Sequence, residues 1–160
     1  MTSLLRVFLG LMFIANTQTG AQNTPSPRVE LGIDVLESMN FQPLKGRKVG
    51  LLTHPAGVNR HGKSTIDVLL EAPEVNLVAL YGPEHGIDGT AKADVYVPSG
   101  IHARTGLPVH SLYDKTRRPT PAMLADIDVM VIDLQDIGVR SYTYVSAMRY
   151  TIEACFQQGI

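Results

Sequence analysis

Three apolar runs divide the chain, and polar segments with helical spacing separate them. Lys48–Thr53 reads KVGLLT, Val75–Tyr81 reads VNLVALY and Asp128–Asp133 reads DVMVID. Each has the length and composition of a strand rather than a helix. Near-continuous apolar strands are those of a parallel sheet buried on both faces. Between the first two, Ser64 stands where it can cap a helix through TIDVLLEA, with Ile66, Leu69 and Leu70 on one face. PTPAMLADI reads as a short helix with proline in its first turn. After the third run, Val145, Met148, Ile152, Cys155 and Phe156 recur at helical spacing, predicting a helix that buries this stripe. On that stripe Cys155 is a small core hydrophobe. Val29–Met39 predicts one more helix. Strands alternating with helices imply right-handed crossovers. The expected class is therefore α/β, a Rossmann-like parallel sheet with helices on both faces, over residues 29–160. The polar, glycine-rich stretch from Gly82 to Gly106 is long for a connection, as functional loops often are.

The first 21 residues follow another pattern. Arg6 precedes the apolar Val7–Ala15, and small and polar residues lead to Ala21. That is the plan of a signal peptide cleaved after Ala21, with a buried N-terminal helix as the alternative. Nine apolar residues fall short of the roughly 20 that span a bilayer. The expectation is an exported protein, periplasmic or extracellular, with no membrane anchor after cleavage. Residues 22–28 read as a flexible leader. At the other end, QQGI follows a helix where an alternating pattern expects another strand. The domain is thus expected to be incomplete. Charge narrows the partners: 14 basic and 15 acidic residues nearly cancel. No basic stripe speaks for nucleic acid. The single cysteine excludes an intrachain disulfide.

In a parallel sheet the strand exits share one rim, where ligands bind. The first exit offers Thr53, His54 and Asn59. The second, GPEHG, offers Glu84 and His85, held by Pro83 and Gly86 on a stiff turn. The third, DLQDIGVRSYTY, offers Asp133, Gln135, Asp136, Arg140, Tyr142 and Tyr144. Each has an ordinary alternative. Glu84 is a turn cap or a catalytic carboxylate; His85 is a structural hydrogen-bonder, a substrate contact or a general base. Asp133 orients a loop or takes part in chemistry, and Arg140 pairs with Asp133 or Asp136 or clamps a substrate carboxylate. The two tyrosines are core aromatics with wet hydroxyls or ring contacts for a ligand. Zinc ligands are present by type, but no HExxH pairing occurs, and neither P-loop, GxSxG nor GxGxxG is found. No metal or cofactor is expected.

LYGPEHGIDG, TGLPVHSLYDKTRRPT, MLADIDVMVIDLQDIGVRSYTYVSAM and GRKVGLLTHPAGVNRHGKSTIDVL together resemble the exo-β-N-acetylmuramidase family, the NamZ-like peptidoglycan hexosaminidases. The resemblance runs from about Val29 to the last residue. It implies an exported glycoside hydrolase that releases terminal N-acetylmuramic acid from non-reducing ends of peptidoglycan fragments. It also implies a Rossmann-like domain followed by a C-terminal domain, with the active site between them. That second domain is expected to be absent. Carried over by motif, Glu84 is a catalytic carboxylate with His85 beside it, while Asp133, Gln135, Asp136, Arg140, Tyr142 and Tyr144 line the cleft. Thr53, His54 and Asn59 form another wall. The chain departs from the family's asparagine and threonine in the first motif, reading His54, Pro55 and Ala56. It also has Ile87 and Asp88 where an aromatic and an arginine commonly follow PEHG. Glycoside hydrolysis normally uses two carboxyl groups. Glu84 is the expected acid if the cleft is dry enough to raise its pKa, with Asp133, Asp136 or a group of the missing part as partner and Arg140 on the lactyl carboxylate. The alternatives are a sugar- or cell-wall-binding fragment without turnover and a metal-dependent hydrolase.

Overall fold

The computed structural model describes residues 29–160; the expected signal peptide (1–21) and leader (22–28) lie outside the described residues. The elements in order are α1 (Gly32–Ser38), β1 (Lys48–Thr53), α2 (Thr65–Glu71), β2 (Asn76–Gly82), β3 (Gly100–Ile101), β4 (Pro108–Ser111), α3 (Pro121–Leu124), β5 (Val129–Asp133) and α4 (Tyr144–Gln158). A 3-10 turn at Gln42–Leu44 follows α1. Strand order is β3-β4-β2-β1-β5. Four strands are parallel, as expected, and the fifth, the two-residue β3, runs antiparallel to β4. β3 and β4 belong to the excursion that begins at the polar stretch after β2. β4 is not evident from the hydrophobic pattern, because Pro108–Ser111 carries a histidine and a serine in a four-residue run.

Local chemistry sets the ends of these elements. Ser64 Oγ accepts the Asp67 N–H at 3.1 Å, capping α2. Asp34, almost fully buried, accepts the N–H of Leu31 at 3.2 Å and that of Arg60 at 3.0 Å, and pairs with the Arg60 guanidinium. It thus ties α1 to the loop after β1. A buried carboxylate is stable only with such partners.

The central strand β1 faces two cores. Val49 and Leu51 pack with Ile33 of α1 and Ile66 and Leu69 of α2. On the opposite face Leu52 packs with Tyr81, Leu124 of α3 and Ala154 and Cys155 of α4. Helices therefore cover both faces. Two expected faces differ in detail. In α2, Val68 is buried and Leu70 exposed. In α4 the buried row is Tyr144, Ala147, Thr151, Ala154 and Cys155, one residue out of phase with the expected stripe. Of that stripe only Cys155 is buried; Val145, Met148, Ile152 and Phe156 are exposed. Both rows have helical spacing, and the one with smaller side chains faces the sheet. Phe156 is 79% exposed, so Phe156→Ala should change stability by less than about 0.5 kcal/mol. Leu69→Ala should cost roughly 2–5 kcal/mol. Denaturant unfolding of the two variants checks the contrast.

Candidate active site

Register places the strand exits side by side. Thr53 of β1 pairs with Asp133 of β5, Leu52 with Tyr81 of β2, and Gly82 of β2 with Ser111 of β4. Just past β2, Pro83 accepts the Gly86 N–H at 3.0 Å, closing a turn around Glu84 and His85. His85 and Gly86 both adopt left-handed backbone, φ 69° and 79°. Glycine takes that conformation freely, whereas a histidine there is uncommon and is held by its surroundings. Here the His85 Nδ1 lies 2.9 Å from the carbonyl of Ala91, to which it donates, and the Ala91 N–H returns to the His85 carbonyl at 3.1 Å. The ring is thereby tied into its own loop.

Glu84 is held from several directions. Its Oε2 accepts the Thr143 hydroxyl at 2.7 Å and its Oε1 the Asp94 N–H at 3.3 Å. The Tyr113 phenol stands against the same carboxylate. Tyr144 donates its hydroxyl to the Glu84 backbone carbonyl at 3.1 Å. Burial pushes the Glu84 pKa up, but the Thr143, Tyr113 and Asp94 donors and the nearby His85 outweigh it, leaving the pKa below the ordinary 4.5. The donors that hold the side chain thus favour its charged form, and the condition for a raised pKa, a dry cleft without such donors, is not met here. The carboxylate opens on a cavity of about 170 Å³ lined by Leu112, Tyr113, Arg117, Thr143, Ala147 and Tyr150, among others.

A second group collects at the exits of β1 and β5. His54 Nε2 accepts the Gln135 N–H at 2.9 Å, so a neutral ring carries its proton on Nδ1. The ring stands edge-on to Tyr144, with centroids 4.8 Å apart, and Tyr144 leans on Tyr142 at 4.3 Å. Thr53 is buried beside it. Asp133 accepts the Thr65 hydroxyl, on the α1/α2 face. That face follows from alternation: Val129 and Val131 pack toward α1 and α2, and Met130 and Ile132 toward α3 and α4. Glu84's cavity is on the α4 side. Asp133 borders a separate cavity with Gly32, Leu36 and Thr65. The expected pairing of Glu84 with Asp133 in one pocket is thus absent.

Burial holds the His54 imidazole below its usual 6.5, against the opposing charge of Asp133. A folded pKa below the unfolded one means that the unfolded chain takes up the proton first as pH falls. The neutral ring's contribution to stability is present above 6.5 and is lost as pH falls from there toward the folded value. Melting temperature should drop as pH falls below about 6.5, and His54→Gln, whose amide oxygen can accept the Gln135 N–H, should flatten part of the drop. His110, also depressed by burial, keeps its share.

A family model described as exo-beta-N-acetylmuramidase NamZ, N-terminal, matches residues 49–160. The chain belongs to that family. The peptidoglycan beta-N-acetylmuramidase NamZ of Bacillus subtilis (strain 168) is 47% identical over 146 residues, 91% of this chain and 35% of that protein. A crystal structure of a DUF1343 family protein from Bacteroides fragilis NCTC 9343 superposes with a TM-score of 0.75 at 55% identity, over 84% of this chain and 33% of that one. A second such protein from the same organism gives 0.65 at 30% identity, over 82% of this chain and 33% of its own. The chain spans about a third of the length of these relatives.

Within this NamZ-family fold Glu84 stands at the cavity edge with Tyr144 bonded to its backbone carbonyl, and Thr53, His54, Asp133 and the Gln135 backbone stand at the neighbouring exits. Tyr144 touches both groups. Asn59 goes elsewhere: its amide reaches Glu37 at 3.1 Å and accepts the N–H groups of His61 and Lys63, shaping its own loop. Asp136 accepts the Gly138 N–H at 2.6 Å within the exposed segment that also carries Arg140. Neither lines the Glu84 cavity. Among the described residues, no three His, Cys, Asp or Glu side chains gather as a metal site. No described helix is long and apolar enough to cross a membrane. Tyr113, Arg117, Thr143 and Tyr150 are cavity residues that the motif reading did not select. Tyr113, Arg117 and Thr143 stand inside the motifs that carry the resemblance. Tyr113 and Arg117 follow β4, and recognising that strand would have placed them at the rim beside PEHG.

Proposed function

We propose that the chain carries part of the active site of an exported glycosidase that removes terminal N-acetylmuramic acid from the non-reducing ends of peptidoglycan fragments. One observation carries the reading: a carboxylate fixed by two hydrogen-bond donors at the sheet's C-terminal rim opens on an aromatic-lined cavity, in a chain of this family. Sugar rings stack on aromatic faces, and Tyr150 supplies one here. Export is supported by the arrangement of residues 1–21.

The donors around the Glu84 carboxylate support a role for it as a fixed charge rather than as a proton donor. An oxocarbenium-like transition state develops positive charge at the anomeric carbon as the glycosidic bond breaks. A fixed carboxylate is complementary to that charge and needs no reorganisation when it develops. The leaving oxygen requires a proton from a second group, and Glu84 is the only carboxyl group lining this cavity among the described residues. This favours, as a second reading, a domain that binds the sugar without turning it over.

The test is release of N-acetylmuramic acid from a chromogenic muramic glycoside by the purified protein, with circular dichroism confirming the fold. Release supports the hydrolase. A folded protein that binds the sugar and releases nothing supports the second reading.

A further inference from the structure

An anionic sugar approaching a cavity whose carboxylate is ionised is repelled unless a cation stands beside it. Arg47, just before β1, does not line the Glu84 cavity. Arg60, Arg104, Arg118 and Arg149 are each paired with an aspartate or glutamate. Arg140 lies on the exposed segment and does not line the Glu84 cavity. Arg117 does line it. Its guanidinium carbon lies 3.5 Å from the centroid of Tyr113 and 5.8 Å from that of Tyr96, and it forms no ion pair with a described residue.

We propose that Arg117, stacked on Tyr113 at the cavity beside Glu84, binds the carboxylate of an acidic sugar and sets the preference for muramic acid over glucosamine. Stacking uses the face of the guanidinium and leaves its N–H edge free, which is the edge that grips a carboxylate with two parallel hydrogen bonds. The ring also restricts a long side chain that would otherwise lose freedom on binding. Tyr113 joins the two charges: its ring carries the cation while its hydroxyl stands against Glu84. N-acetylmuramic acid differs from N-acetylglucosamine by a lactyl ether at O3, and this carboxylate is the group a cation can read. The assignment rests on the muramidase reading for the identity of the sugar, and it transfers to Arg117 the role that charge alone had suggested for Arg140.

Calorimetric titration of the whole chain with N-acetylmuramic acid and, separately, N-acetylglucosamine tests it. The wild type should prefer the acidic sugar. Arg117→Ala should weaken N-acetylmuramic acid about tenfold or more while leaving N-acetylglucosamine unchanged, and Arg117→Lys should recover part of the loss. Unchanged discrimination in a folded Arg117→Ala protein overturns the proposal. So does loss of discrimination in Arg140→Ala alone, or a wild type that binds neither sugar. The hydrolase reading fails separately: a wild type that discriminates between the sugars but releases nothing from the glycoside keeps Arg117 and loses the muramidase.

Discussion

Glu84→Gln should lower kcat/KM on a muramic glycoside by about 10³-fold, within the range that a positioned proton-transfer or charge-stabilising group supplies, with the fold retained. The substitution keeps the shape of the side chain and removes its charge. An amide oxygen can still accept the Thr143 hydroxyl, but the amide NH₂ must face either that hydroxyl or the Asp94 N–H, both of which donate. Sugar binding should survive and turnover should not. Equal kcat/KM in the two proteins would remove Glu84 from the chemistry. The pH profile adds a second measurement. Glu84's donors hold its pKa below 4.5, so activity that needs the carboxylate should fall only below that pH. The sign for stability is the same. A depressed folded pKa contributes stability above the unfolded value, and that contribution is lost as pH falls through the folded one. Glu84→Gln should erase this part of the acid destabilisation. An acid limb near neutrality would show that the group in use is a different one.

The legible parts of the fold were those where one local rule decided the outcome. β1, β2 and β5 lie within a residue of the apolar runs, because buried parallel strands have few polar positions to blur them. The α2 start coincides with Ser64, whose cap is a short-range contact. Where two local patterns competed, packing chose. α4 carries two rows at helical spacing, and its small-residue row turns to the sheet, leaving Val145, Met148, Ile152 and Phe156 exposed. β4 was hidden because two of its four residues, His110 and Ser111, are polar. That omission had a functional consequence, since its exit lies beside β2 and delivers Tyr113 and Arg117 to Glu84. PEHG itself was legible as a rim turn. The charge state of its glutamate was not, because its donors come from Thr143, Tyr113 and Asp94, none of them its neighbours in sequence. Asp133 stood at the expected exit, but strand alternation turns it to the opposite face. Knowing that face requires knowing which helices cover it.

Gly82→Ala should destabilise the protein by roughly 1–3 kcal/mol and reduce activity at the same time. A Cβ at Gly82 would lie 2.9 Å from the Ile87 backbone nitrogen and 3.4 Å from the Gly86 carbonyl carbon. Both are main-chain atoms of the turn that presents Glu84, so no side chain can swing away to relieve the contact. The turn must shift, and it carries Glu84 with it. Displacement by about 1 Å is enough to cost on the order of 100-fold when a reacting group is misplaced. The same strand end is fixed from β4, where the Leu112 N–H donates to the Gly82 carbonyl at 2.8 Å. Relief by moving β2 would therefore disturb the exit that carries Tyr113. Gly100→Ala provides the comparison, since nothing lies within 4 Å of a Cβ at that position. Thermal unfolding should separate the two variants by several degrees, with Gly100→Ala near the wild type. Gly82→Ala melting with the wild type would mean that the turn yields freely, and the rigid presentation of Glu84 would then be wrong. A variant that melts early and retains full kcat/KM on the remaining folded protein would separate the strand's stability from the placement of the carboxylate.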